Sequence, residues 1–69
     1  MADNRVKVFK SLLTDLRRIG AENVATECEK LGPDGTVSRL RGGVNSLCRG
    51  LPSAEQVAEM LRAFRDTRP

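Results

Sequence analysis

The chain has 69 residues, of which 39% are hydrophobic and 30% are charged, and its formal net charge at pH 7 is +3. This length allows one domain at most, and the composition is that of a globular protein rather than a disordered one. The chain contains no histidine, which excludes imidazole-based catalysis and histidine-containing zinc sites.

The first predicted helix covers residues 4–19. Its apolar residues recur at steps of three and four, a spacing that places them on one face of a helix. The main stripe consists of Val6, Phe9, Leu13 and Leu16. Val8, Leu12 and Ile19 widen this stripe, so we expect the helix to contact two neighbouring helices. Gly20 is the expected stop.

The second predicted helix covers residues 21–31, with Val24, Ala25, Cys28 and Leu31 as its apolar face. Residues 32–35 read Gly-Pro-Asp-Gly. Proline presets one backbone angle and glycine permits positive φ, so this tetrapeptide predicts a turn. Thr36 is then the expected N-cap of the next helix.

The third predicted helix covers residues 36–49, and its apolar positions keep helical spacing throughout: Val37, Leu40, Val44, Leu47, Cys48 and Leu51. Gly42 and Gly43 interrupt this segment. Two glycines inside a helix cost roughly 2 kcal/mol, so the alternative is a break at 42–43 that leaves two short helices, 37–41 and 44–49. The unbroken apolar phase favours a continuous or kinked helix.

The fourth predicted helix covers residues 54–65. Ser53 and Gln56 have the spacing of a capping box, in which the serine caps the helix and the glutamine reaches back. The core face is Val57, Met60, Leu61 and Phe64. No segment alternates with the period of two that is typical of a strand. The sequence therefore predicts an all-α fold, a compact bundle of three to five short helices in a single domain over residues 1–69.

Cys28 and Cys48 both fall on apolar faces. Free cysteine behaves there as a small buried hydrophobe, so we expect two reduced thiols, with one internal disulfide as the alternative. Without histidine or a Cys-x-x-Cys pair, we expect no metal site. The chain also lacks the glycine motifs that bind nucleotides. We therefore expect no cofactor, no small-molecule substrate and no enzymatic activity.

No apolar run approaches the ~20 residues of a membrane span. The first residues, Met-Ala-Asp-Asn-Arg, lack the apolar stretch that is typical of a signal peptide. The expected localisation is cytoplasmic or nuclear, without membrane contact.

Positive charge is concentrated in the second half of the chain. Residues 1–35 hold equal numbers of acids and bases, whereas every base in residues 36–69 is an arginine and no acid occurs between Thr36 and Ala54. Arg39, Arg41 and Arg49 lie in this acid-free window, and on a continuous helix Arg41 and Arg49 would align.

Arginine bonds carboxylates and phosphates in a bidentate fashion and tolerates interfaces better than lysine. The sequence thus predicts a small non-catalytic helical module that binds a protein partner. The predicted partner can be a second copy of the chain, in which case the binding is self-association. Arg39, Arg41 and Arg49 would contact an acidic partner surface. The competing interpretation of these arginines is an ordinary solvated helix surface.

An alternative function comes from the segment 24–41. Residues 36–39 read Thr-Val-Ser-Arg, and the small residue Cys28 lies four positions before Gly32. This arrangement resembles the helix-turn-helix of lactose-repressor-type regulators, and the resemblance implies DNA binding. The segment departs from that motif in a turn one residue shorter and in Pro33, which occupies a usually aliphatic position. The implied nucleic-acid contacts are Thr36, Ser38, Arg39 and Arg41.

Overall fold

The computed structural model describes residues 4–67, which form four helices and no strand. The helices are α1 (Asn4–Arg18), α2 (Glu22–Leu40), α3 (Asn45–Cys48) and α4 (Ala54–Arg65). The predicted all-α bundle is confirmed. Residues 1–3 and 68–69 of the predicted domain lie outside the described residues.

α1 packs against both α2 and α4, as its wide apolar face predicts, and α4 also contacts α2 and α3. The ring of Phe9, in the first half of α1, lies 5.5 Å from the ring of Phe64 near the end of α4. At the other end of α1, Ile19 borders a depression together with Val57 from the start of α4. These contacts show that α1 and α4 run antiparallel.

α1 ends where Gly20 predicts. The Gly20 N–H donates to the Arg17 carbonyl at 3.2 Å, and the Ala21 N–H donates to the Leu16 carbonyl at 2.8 Å. This pair of bonds is the Schellman motif, which satisfies carbonyls that the helix itself leaves without donors. The chain then reverses into α2.

The core is one cluster to which all four helices contribute. Burial of a large aliphatic or aromatic side chain contributes about 1.5–3 kcal/mol, so these contacts dominate the stability of so short a chain. Three predicted face residues instead lie largely at the surface: Val6, Val8 and Leu31 are 37%, 36% and 40% exposed. The buried apolar residues are Phe9, Leu12, Leu13, Leu16, Ala21, Val24, Ala25, Cys28, Val37, Leu40, Val44, Cys48, Val57, Ala58, Leu61 and Phe64.

The predicted turn at residues 32–35 is only partly right: the helix does break after Leu31, at a glycine with positive φ, but residues 33–35 are helical. Within α2 only Gly32 leaves the helical conformation, with φ 75° and ψ 174°, and the helix resumes at once at Pro33. Proline suits the first position of a helix because the N–H that it lacks would have no partner there. The conformation of Gly32 belongs to a region that is essentially open to glycine alone. α2 is therefore two helical halves, residues 22–31 and 33–40, joined at a one-residue kink.

Thr36 lies inside the second half of α2, so its predicted role as an N-cap is wrong. Its hydroxyl is buried and donates to the carbonyl of Cys28 at 3.1 Å. The last four carbonyls of a helix have no intrahelical donors, and the kink creates such an end within α2. The halves also approach closely, because a Cβ on Gly35 would lie 3.2 Å from the Leu31 Cβ.

The predicted helix over 36–49 is also wrong, and the alternative break at 42–43 is what the structure shows. α2 ends at Leu40, and α3 is a separate helix of four residues. Gly43 has a φ of 115°, which an α-helix cannot contain. The apolar phase survives the break because Val44 and Cys48 are still buried.

α4 begins at the predicted residue but without the predicted capping box. The Ser53 side chain makes no capping hydrogen bond, and its backbone angles are φ −105° and ψ 37°. A serine N-cap normally has extended backbone angles, which aim its hydroxyl at the first free N–H groups. Here only the Ser53 carbonyl takes part, accepting from the Val57 N–H at 2.9 Å.

Candidate functional site

The three predicted partner-binding arginines are exposed and lie at helix ends. Arg39 is in the last turn of α2, Arg41 directly follows that helix, and Arg49 directly follows α3. A cation near a helix C-terminus contributes about 0.3–1 kcal/mol through the helix dipole. This effect gives Arg39 and Arg41 a modest structural role at the end of α2, whether or not they bind anything.

The arginines of the chain differ sharply in their ionic contacts. The three in α1 each have an acidic partner, and so does the last one in α4, whereas within residues 4–67 no ion pair involves Arg39, Arg41, Arg49 or Arg62. The pairs are Arg5–Asp34 at 2.9 Å, Arg17–Glu29 at 3.3 Å, Arg18–Asp15 at 3.9 Å and Arg65–Asp66 at 3.3 Å.

The break at 42–43 changes the geometry expected for the predicted site. Arg41 and Arg49 align only on a continuous helix, and the positive φ of Gly43 removes that helix. Arg39, Arg41 and Arg49, called here the arginine segment, therefore occupy the end of α2 and the end of α3 rather than one helix face.

One of the predicted nucleic-acid contacts is wrong. Thr36 has no exposed surface, and its hydroxyl bonds the Cys28 carbonyl, so it cannot touch a nucleic acid in this fold. Ser38, Arg39 and Arg41 are exposed. The connection at Gly32 is a single residue, whereas a helix-turn-helix uses a turn of about three to four residues.

A cleft between α3 and α4 brings one residue of the acid-free window, Arg49, together with three charged residues that lie outside that window. Arg49 from the end of α3 and Glu55, Glu59 and Arg62 from α4 all line it, and its volume is about 540 Å³. No local sequence signal identifies Arg62, because it lies three residues after an acid on an exposed helix face. Only the packing of α3 against α4 brings Arg49 and Arg62 to one cleft.

A second depression, of about 270 Å³, lies between α1 and α4 and is mainly apolar. Val8, Leu12, Met60 and Phe64 contribute to its lining. Leu12 and Phe64 are buried core residues, while Val8 is 36% exposed. The polar lining of this depression is limited to Ser11, Asp15 and Thr67.

Both cysteines lie buried as free thiols, as predicted. Burial raises the pKa of the Cys28 thiol above its ordinary value, and the nearby Thr36 hydroxyl offsets part of this shift. The Cys48 thiol donates to the Val44 carbonyl at 3.0 Å. Reactive thiols have a low pKa and are accessible. Because Cys28 and Cys48 are buried, they are structural residues.

Among residues 4–67, no group of three or more histidine, cysteine or acidic side chains could hold a metal ion. The same part of the chain contains no helix with the length and apolar character of a membrane span.

No protein-family model, curated protein or solved structure matches the chain. A function must therefore be inferred from the chain's own charges and surfaces.

Proposed function

We propose that the chain is a non-catalytic binding module whose arginine segment docks on an acidic surface of a protein partner. A second copy of the chain is one form that this partner can take. The observation that carries the proposal is the contrast in ion pairing: Arg5, Arg17 and Arg18 are paired within the fold, whereas the arginine segment is exposed and has no ion pair among residues 4–67.

The energetics of surface ion pairs explain why this contrast is informative. An exposed ion pair contributes only about 0–1 kcal/mol to stability, so leaving the arginine segment unpaired costs the fold little. The unpaired guanidinium groups keep their bonding capacity for a partner. Arginine is enriched in protein interfaces and among the residues that dominate their affinity. An acidic surface would also be drawn in by long-range attraction, which raises the association rate.

The test uses two fluorescent probes, a helical peptide rich in glutamate and a short DNA duplex, with binding followed by fluorescence anisotropy. The variant is Arg41→Glu combined with Arg49→Glu. We expect it to keep the wild-type helical circular-dichroism spectrum, because both side chains are exposed. Its affinity for the acidic peptide should fall at least about tenfold, equivalent to about 1.4 kcal/mol.

The matched control is Lys7→Glu combined with Lys10→Glu. These lysines are exposed on α1, have no ion pair within residues 4–67, and give the same change in net charge. The control should leave peptide binding nearly unchanged. If both double variants weaken binding equally, the peptide responds only to net charge and the proposed role of the arginine segment is wrong.

The DNA probe tests the alternative function. Phosphate contacts make log affinity fall with log salt concentration, with a slope of about −0.9 per contact. Tighter binding to the duplex than to the peptide, with a steep salt slope that Arg41→Glu and Arg49→Glu reduce, would replace the proposal by DNA binding. Binding to the peptide alone would support the proposal.

A further inference from the structure

In the described part of the chain, two arginines lie outside the helices, and each is followed directly by glycine. Arg41 comes after α2 and precedes Gly42 and Gly43. Arg49 comes after α3 and precedes Gly50. Both arginines are exposed, and neither belongs to the ion pairs of the described residues. The two sites therefore repeat one arrangement, an exposed, unpaired arginine at a helix end with glycine behind it.

Every other arginine among residues 4–67 lacks part of this arrangement. Arg39 and Arg62 are unpaired but lie inside helices, and Leu40, which follows Arg39, is fully buried. The remaining arginines are helical and hold an acidic partner: Arg5, Arg17, Arg18 and Arg65.

The glycines leave open space beside the two arginines. A Cβ built on Gly43 or Gly50 would meet no atom within 4 Å, and one on Gly42 would meet only the Arg39 carbonyl oxygen, at 3.8 Å. Glycine permits the close approach of another molecule to the backbone. The wall of a narrow enzyme pocket can therefore pass on the C-terminal side of Arg41 or Arg49 without meeting a side chain.

We propose that Arg41, and in second place Arg49, is a site of arginine methylation by a methyltransferase that uses a sulfonium methyl donor. A terminal guanidinium nitrogen attacks the methyl carbon, and the N–C bond forms as the bond from carbon to sulfur breaks. The electrons of the broken bond stay on sulfur, which leaves as a neutral thioether. The nitrogen gives up one proton to a carboxylate of the enzyme, so the guanidinium keeps its single positive charge.

The chemistry requires an arginine that can leave its own protein. A guanidinium group stays protonated in ordinary protein surroundings, so the transferase has to enclose it beside a base and exclude water. An arginine held in an ion pair must first give up that pair, whereas Arg41 and Arg49 have none to break among residues 4–67. Arg41 is favoured because two glycines follow it, while Gly50 is followed by the half-buried Leu51.

Methylation would also regulate the arginine segment. A methylated guanidinium keeps its charge but loses bidentate hydrogen bonding. Long-range attraction to an acidic surface would persist, while the close contact would weaken. This consequence rests on the proposed function, whereas the modification site itself does not.

The test incubates the intact chain with a recombinant arginine methyltransferase and S-adenosylmethionine, the sulfonium donor. Tandem mass spectrometry of fragments from a glutamate-specific protease locates each methyl group. Arg41 should be methylated fastest and Arg49 next, with Arg39 and Arg62 at least about tenfold slower than Arg41. A synthetic peptide of residues 36–51, in which no fold limits access, verifies that the enzyme is active.

The variant Gly42→Ala probes the open flank of Arg41. Because φ at Gly42 is not in the left-handed region and its Cβ meets no close atom, the variant should keep the wild-type circular-dichroism spectrum. The initial rate of methylation at Arg41 should fall at least about fivefold. The rate at Arg49 in the same molecule is the matched control and should stay unchanged.

Three results would overturn the inference. They are a methylated peptide beside an unmethylated intact chain, equal rates at Arg39 and Arg41 in the intact chain, and an unchanged rate at Arg41 in Gly42→Ala. The proposed function is judged separately, by binding of the chain methylated at Arg41 to the glutamate-rich peptide. Its affinity should fall at least about threefold, and an unchanged affinity would count against Arg41 as a binding residue while the modification site stands.

Discussion

Replacing Gly32 by alanine tests the kink on which the second half of the fold depends. Gly32 is the one residue of α2 outside the helical region, at φ 75° and ψ 174°. A Cβ built there meets no atom within 4 Å, so the substitution creates no clash. Its whole effect on the folded state is the cost of holding an alanine in a backbone conformation that suits glycine.

The magnitude follows from two opposing terms. Holding a non-glycine residue in this region costs about 1–3 kcal/mol. Alanine also restricts the unfolded chain, which returns about 0.4–1 kcal/mol. The difference between these two ranges runs from about 0 to about 2.6 kcal/mol and centres near 1.3 kcal/mol, so we expect Gly32→Ala to lower the free energy of unfolding by about 1–2 kcal/mol. This is a large part of the ~3–5 kcal/mol that a core of this size supplies. At about 4–8 °C per kcal/mol, the Tm should fall by roughly 5–15 °C.

The measurement is urea and thermal unfolding followed by circular dichroism at the helical band. The matched control is Gly42→Ala, since φ at Gly42 is not in the left-handed region and its nearest neighbour to a new Cβ is the Arg39 carbonyl oxygen at an ordinary 3.8 Å. This control should be neutral or slightly stabilising. A Gly32→Ala protein that melts at or above the wild-type temperature would refute the kink and imply a continuous α2.

Thr36→Val should lower the free energy of unfolding by about 1–3 kcal/mol in urea titrations, because it removes the buried hydrogen bond from the Thr36 hydroxyl to the Cys28 carbonyl. Thr14→Val removes a similar but exposed hydrogen bond to a backbone carbonyl and should change the free energy of unfolding by less than about 0.5 kcal/mol. Equal losses in Thr36→Val and Thr14→Val would contradict the burial of Thr36. Ser53→Ala should also stay within about 0.5 kcal/mol, since the serine side chain makes no capping bond, and a loss near the ~1 kcal/mol of a true N-cap would show that the bond forms in solution. Thiol labelling of Cys28 and Cys48 without denaturant should be slow, because both are buried, and fast labelling of either would contradict its placement. Burial raises the pKa of the Cys28 thiol above its ordinary value of 9.0. The thiol therefore loses its proton at a lower pH in the unfolded chain than in the folded one, and the free energy of unfolding should fall as the pH rises past 9.0. The free energy of unfolding of Cys28→Ala should fall less steeply over the same pH range.

The local pattern of the sequence was enough to predict α1 and α4. Their apolar residues repeat at helical spacing, and this signal depends only on neighbours within two turns. The sequence did not decide whether the helix breaks between α2 and α3. Gly42 and Gly43 allow a break, while the helical spacing of the apolar residues suggests a continuous helix. Burial of Leu40 and Val44 on either side of the break is compatible with both. The positive φ of Gly43 decides between them.

The segment Gly32–Gly35 shows why a turn composition can mislead. Glycine and proline suit a turn, but proline also suits the first residue of a helix. The choice depends on contacts beyond the segment, since Thr36 reaches back to Cys28 and Val37 and Leu40 enter the core. Local propensity contains none of these contacts.

The charged residues likewise show some features that the sequence predicts and others that depend on helix packing. The acid-free window around the arginine segment is visible in the sequence, because it concerns only the order of residues. Which arginines are satisfied depends on pairs such as Arg5 with Asp34, which lie 29 positions apart along the chain. The meeting of Arg49 and Arg62 at one cleft likewise depends on α3 packing against α4. Contacts between residues distant in the sequence arise only when helices pack, so tertiary structure alone decides which charges remain available to a partner.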